Sequence, residues 1–141
     1  MPSIPHSPDL QSRAEAVRLV AFDIDGTLET GDPPGIITMA RVREAQALGY
    51  IIGSCSDRTV ATQQRMWQAQ GINVDFTVLK HRLDSVKAAF SAEAYFHIGD
   101  THADQYYAEQ AGFTYFFPAE SVAGLWRFGN MGHIGHQLQN P

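Results

Sequence analysis

The chain has 141 residues, of which 44% are hydrophobic and 18% charged, with a formal net charge of −5. That length fits one domain able to bury about 68–70% of the surface its unfolded form exposes, and no like-charge block or polar tract opposes folding. The 10 Lys and Arg residues are scattered rather than striped along one face, which argues against nucleic acid as a partner. No stretch reaches the ~18 apolar residues of a membrane span, and the N-terminus lacks a basic segment followed by an apolar one, so a cytoplasmic protein is expected. A single cysteine, Cys55, cannot form an intramolecular disulfide, and its apolar setting suits a buried, inert thiol in a reducing compartment.

Residues 1–16 are rich in Pro and polar side chains and read as a flexible arm, turning helical near Arg13 to Ala16. Arg18 to Asp25 is a short, mostly apolar run that stops at Gly26, the pattern of a strand buried on both faces of a parallel sheet. After a turn over Glu29 to Gly35, Ile36 to Leu48 has helical spacing, with Gly49 as its stop. The alternation repeats: a strand over Tyr50 to Cys55, a helix over Thr59 to Gln70 ending at Gly71, and a strand over Phe76 to Leu79. Leu83 to Phe90 reads as a short helix, Tyr95 to Ile98 as a strand, Ala103 to Ala111 as a helix stopped by Gly112, and Phe113 to Phe117 as a strand closed by Pro118. Five strands alternating with helices predict an α/β fold, a doubly wound parallel sheet with helices on both faces. The folded domain is expected over 17–128. Residues 129–141 form a Gly-rich tail in which His133 and His136 lack the further ligands a metal site needs.

In such a sheet every strand points its carboxyl end at one rim, where ligands bind. The predicted strand ends deliver Asp23 and Asp25, Ser54 and Ser56, Lys80, and Asp100 and Asp104 to that rim. One Asp there is ordinarily a helix cap or turn residue. Several together cannot all stay ionised without a counter-charge, and a hard divalent cation, Mg²⁺ where phosphate is also bound, resolves the conflict. Lys80 and a serine hydroxyl can then hold the free oxygens of a phosphoryl group.

The run Phe22-Asp23-Ile24-Asp25-Gly26-Thr27-Leu28 resembles the DxDGT signature of haloacid dehalogenase superfamily phosphatases, in its usual place after an apolar strand. Ile98-Gly99-Asp100 through Asp104 resembles their later GDxxxD motif, and the likeness covers roughly Leu19 to Pro118. The resemblance implies a Rossmann-like catalytic domain and an aspartyl-phosphate mechanism. It makes Asp23 the nucleophile and Asp25 the acid and base, with the Asp23 carboxylate, the Asp25 main-chain carbonyl and Asp100 as Mg²⁺ ligands. Asp104 would support the site through water or Lys80, and Thr27 would orient the loop beside the phosphate. Ser56, in the setting Ser56-Asp57-Arg58, resembles the family's second motif better than Ser54, which falls within the strand. Lys80 lies between strand and helix and fits the third motif better than Lys87, which lies inside the helix. Arg58 reads either as a substrate contact or as a solvated residue at a helix start.

Many members of that family carry a cap domain, for which this chain has no room between its motifs. An open site admits a phosphorylated macromolecule, or a small substrate if a neighbouring subunit of a homo-oligomer closes it. Trp126 and Phe128 could cover such a site in a partner, or pack on their own core. The expected activity is phosphomonoester hydrolysis. The alternative is a binding or regulatory module that keeps the fold and the metal with weak or no turnover. A response-regulator receiver would lack DxDGT, and haloalkanoate dehalogenases generally lack the second Asp of that motif, which is Asp25 here.

Overall fold

The computed structural model describes residues 17–121. The arm at 1–16, the Trp126 and Phe128 positions and the tail at 129–141 lie outside the described residues. Strands β1 (Arg18–Phe22), β2 (Ile51–Ser56), β3 (Phe76–Leu79), β4 (Ala94–Ile98) and β5 (Thr114–Phe116) form one sheet in the order β3-β2-β1-β4-β5. All four pairings are parallel. Helix α1 (Met39–Ala47) joins β1 to β2, α2 (Val60–Gln70) joins β2 to β3, and α4 (His102–Gln110) joins β4 to β5. Between β3 and β4 run a 3-10 turn (Lys80–Arg82) and α3 (Leu83–Ala89). This is the predicted doubly wound α/β sheet. Among the described residues no helix is long and apolar enough to cross a membrane.

β1 is central because its side chains are apolar on both faces. Val20 and Phe22 pack with Met39, Val42 and Ala45 of α1 and Trp67 of α2, whereas Leu19 and Ala21 pack with Leu83 and Val86 of α3 and Ala108 of α4. All four β1 side chains are fully buried, and burying an aliphatic or aromatic side chain of that kind contributes about 1.5–3 kcal/mol. The chain winds outward from β1 to β3 and then returns to the other side of β1, and its helices change face with it, as right-handed crossovers require. The reversal leaves a crevice at the carboxyl ends of β1 and β4, where connections diverge in opposite directions.

The helix expected over 36–48 starts only at Met39. Ile37 instead pairs with Leu28 in a short parallel bridge, its N–H donating to the Thr27 carbonyl at 3.0 Å, and Thr38 caps the helix by accepting from the Arg41 N–H at 3.1 Å. Other limits moved by one or two residues: β2 starts at Ile51 and runs beyond Cys55 to Ser56, β4 starts at Ala94, and β5 is confined to Thr114–Phe116. Lys80 lies between strand and helix as expected, opening the 3-10 turn directly after β3.

Candidate active site

β1 ends at Phe22, yet the Asp23 N–H still donates to the Ile98 carbonyl of β4 at 2.9 Å, so the Asp23 side chain stays pinned between the two strands and is only 4% exposed. The chain then turns sharply, with the N–H groups of Thr27 and Leu28 both donating to the Ile24 carbonyl. Gly26 sits in this turn at φ 78°, and a Cβ there would overlap the Asp100 carboxylate. Glycine therefore supplies both the left-handed backbone and the space that lets the loop after β4 close against the loop after β1. The Thr27 hydroxyl, fully buried, donates to Asp23 Oδ2 at 3.4 Å.

Asp104 forms the floor of the crevice. It is fully buried, and its Oδ2 accepts from the Thr101 hydroxyl at 2.8 Å and the Thr101 N–H at 3.1 Å, while Thr101 accepts from the Asp104 N–H in return. This reciprocal capping box fixes the start of α4. The other oxygen, Oδ1, pairs with Lys80 Nζ at 2.8 Å. Beneath it lies His97 of β4, whose Nδ1 bonds the Ala21 carbonyl at 3.0 Å and whose Nε2 is 3.8 Å from Asp104 Oδ1. Burial works against the charge on Asp104, but His97 and Lys80 outweigh it and hold the carboxyl well below the usual range. Burial likewise opposes the charge on Lys80, and Asp104 and Asp23 overcome it to keep the ammonium protonated.

At the mouth the balance differs. Asp25 has 36% of its side chain exposed and is gripped by Arg58, with Nη2 to Oδ1 at 2.6 Å and Nε to Oδ2 at 3.2 Å; the Asp32 N–H adds a bond to Oδ1 at 2.8 Å. Those bonds, Arg58 first, hold its carboxyl below its ordinary value. Asp57, largely solvated, reaches Lys80 at 3.4 Å. Between mouth and floor is a cleft of about 220 Å³ lined by Asp23, Asp25, Ser56, Lys80, Asp100 and Thr101, with Pro33 and Asp57 at its edge.

Neighbouring candidates separate clearly. The Ser54 hydroxyl is fully buried, donating to Gln63 Oε1 at 2.6 Å and accepting from Trp67 Nε1 at 2.9 Å, so it joins β2 to α2. Ser56 lines the cleft and accepts from the Arg58 N–H at 3.0 Å. Lys87 lies on the outer face of α3, donating to the Gly112 carbonyl at 3.2 Å and resting over the Tyr95 ring, away from the cleft that Lys80 lines. Cys55 is fully buried, and burial pushes its thiol far up, consistent with an inert side chain.

Asp23, Asp100 and Asp104 each offer a carboxylate oxygen within 4.8 Å of the others, a hard-oxygen set of the kind Mg²⁺ takes. Without a cation the set is frustrated: burial and then the charge of Asp104 push Asp23 up to about 8, despite Lys80. A divalent ion is the counter-charge that would let Asp23 ionise at neutral pH, so the residues present fit a metal. Asp104, expected only as a supporting residue, is part of this cluster, and the Asp25 carboxylate stands apart from it on Arg58.

Three roles escaped the sequence. Arg58, read there as a substrate contact or a solvated residue, clasps Asp25, a pairing no spacing announces. His97 carries a faint signal, a lone imidazole inside an otherwise apolar strand. Tyr115 carries none: its hydroxyl lies 2.5 Å from the Gly99 carbonyl and 3.0 Å from that of Thr101. No protein-family model matches this chain, and no curated protein matches it.

Proposed function

We propose that this protein is a magnesium-dependent phosphomonoesterase of the haloacid dehalogenase type, working through an aspartyl-phosphate on Asp23. The observation that carries the reading is the buried Asp23 carboxylate set beside Asp100, Asp104 and Lys80 at the carboxyl ends of β1 and β4. The DxDGT and GDxxxD resemblances support it, because they fall on these same residues.

In the proposed reaction Asp23 attacks phosphorus and the ester oxygen leaves with a proton from Asp25. Asp25, now a base, takes a proton from the water that attacks the phosphoryl group on Asp23, releasing phosphate and restoring both carboxyls. Lys80, charged and fixed by Asp104, and the Ser56 hydroxyl hold the free phosphoryl oxygens. Thr27 keeps the Asp23 carboxylate in line through its hydrogen bond. Asp23 and Asp100, with the Asp25 carbonyl and Asp104, are the groups that would hold Mg²⁺, which when bound neutralises carboxylates and phosphoryl oxygens alike. The substrate is a phosphate monoester, either small or carried on a macromolecule.

A second reading, a binding or regulatory module with weak or no turnover, is favoured by the grip of Arg58 on both oxygens of Asp25, which occupies the acid. Phosphate release from a generic aryl phosphate, with and without Mg²⁺, separates the two. The hydrolase reading expects metal-dependent release that Asp23→Asn reduces by at least about 10⁴-fold. No release across a broad panel of phosphate esters would favour the second.

A further inference from the structure

Asp100 is the exposed member of the carboxylate cluster and sits on the short connection between β4 and α4. An exposed loop aspartate would ordinarily have to be ordered when a cation binds, at a cost in affinity. Here the backbone on either side of Asp100 is already held. The Gly99 N–H donates to the Phe116 carbonyl of β5 at 3.2 Å, and Thr101 is locked to Asp104 by the capping box. From the same strand Tyr115 places its hydroxyl between the carbonyls of Gly99 and Thr101, at 2.5 and 3.0 Å. The ring that carries this hydroxyl is fixed in turn. Tyr115 stands opposite His97 in the β4–β5 register, 5.9 Å from its ring, and meets Phe117 edge to face at 4.9 Å.

We infer that Tyr115 is a positioning residue for the cation site, its hydroxyl bridging the two carbonyls that bracket Asp100 and so holding that carboxylate toward Asp23 and Asp104. This rests on the Mg²⁺ reading of the cluster. Hydrogen bonds one layer behind metal ligands commonly govern affinity by 10–100-fold, and this one acts on the ligand's backbone rather than on its carboxylate. Its removal leaves all three carboxylates in place and loosens only the loop that presents one of them.

The test is calorimetric titration of the full chain with Mg²⁺, in the absence of any phosphate ester, for wild type, Tyr115→Phe and Tyr95→Phe. Tyr95 provides the comparison because its hydroxyl also donates to a backbone carbonyl, that of Phe90 at 2.5 Å, and accepts from the Ala92 N–H, outside the carboxylate cluster and the cleft. The expected result is a dissociation constant raised about 10-fold or more in Tyr115→Phe and unchanged in Tyr95→Phe. Equal affinity in wild type and Tyr115→Phe overturns the inference, as does an equal loss in both variants, which would mark a general effect of removing a tyrosine hydroxyl. A wild-type chain that does not bind Mg²⁺ overturns the metal reading itself, and with it the role of Tyr115. Hydrogen exchange gives a variant-free check: the Gly99 and Thr101 amides, which donate to the Phe116 carbonyl and to Asp104 Oδ2, should exchange slowly in wild type before Mg²⁺ is added, and rapid exchange at both contradicts a loop already held in place.

Discussion

Asp23 and Asp25 lie two residues apart and occupy opposite electrostatic surroundings. The first sits on the floor of the cleft, nearly buried beside another carboxylate, and is pushed up to about 8; the second sits at the mouth, bound by Arg58, and is pushed down. The end of β1 at Phe22 makes this difference: Asp23 is still bonded to β4 through its N–H, whereas Asp25 already lies in the turn that Gly26 continues, beyond the sheet. In the proposed reaction the nucleophile must be an anion and the acid must hold a proton, so each rests in the protonation state its role does not use. A cation beside Asp23 and the withdrawal of Arg58 from Asp25 would reverse both. On the proposed reading the free protein must bind before it can react, the floor answering to the cation and the mouth to whatever displaces Arg58.

Breaking the mouth should appear first as lost turnover. Asp25→Ala removes the proposed acid and base but none of the carboxylates of the cluster, so turnover of an aryl phosphate should fall by about 10²–10⁴ with Mg²⁺ binding largely intact. Wild-type turnover in that variant would remove the assigned role. Breaking the floor should appear first as lost stability. Lys80→Met leaves Asp104 buried without its cation at 2.8 Å and should cost about 3–5 kcal/mol in urea denaturation without Mg²⁺. Lys87→Met, on an exposed helix face, should cost less than about 1 kcal/mol, and equal losses would erase the distinction between the two lysines.

The pH dependence sharpens the comparison by a smaller amount. Asp23 must shed its proton to face a cation, so apparent Mg²⁺ affinity should rise with pH, by up to about tenfold per unit, and level off above about 8. In the metal-free chain the sign for stability is opposite. A raised Asp23 favours the folded state fully below its ordinary 3.8, and that contribution is lost as pH rises toward about 8, a slope that added Mg²⁺ should flatten. Calorimetric titrations across pH 6–9 check the first, and denaturation with and without Mg²⁺ checks the second. An affinity independent of pH would mean that Asp23 is already ionised.

How much of this was legible in the sequence depends on whether a feature is set by the local chain or by a contact at long range. Apolar runs located all five strands, and Gly71, in the left-handed conformation, ends α2 where expected. The topology of alternating strands then brings Asp23, Asp100 and Asp104 to one rim, and the structure places their oxygens together. The start of α1 was misread because Ile36 and Ile37 extend its apolar spacing, whereas Ile37 is used to bridge Leu28. Arg58 could not be assigned because nothing in its own segment turns its guanidinium toward Asp25, which lies 33 positions earlier. Tyr115 was invisible for a related reason: its targets are backbone carbonyls, which leave no mark on the residue types nearby.

The proposed reaction requires that Asp23 become phosphorylated. Rapid acid quenching of the protein during turnover of an aryl phosphate with Mg²⁺, followed by peptide mass spectrometry, tests it most directly. The expected result is a phosphoryl group on Asp23, sensitive to hydroxylamine as an acyl phosphate must be and absent from Asp23→Asn. Phosphate release with the label on Ser56, or undiminished in Asp23→Asn, would contradict it.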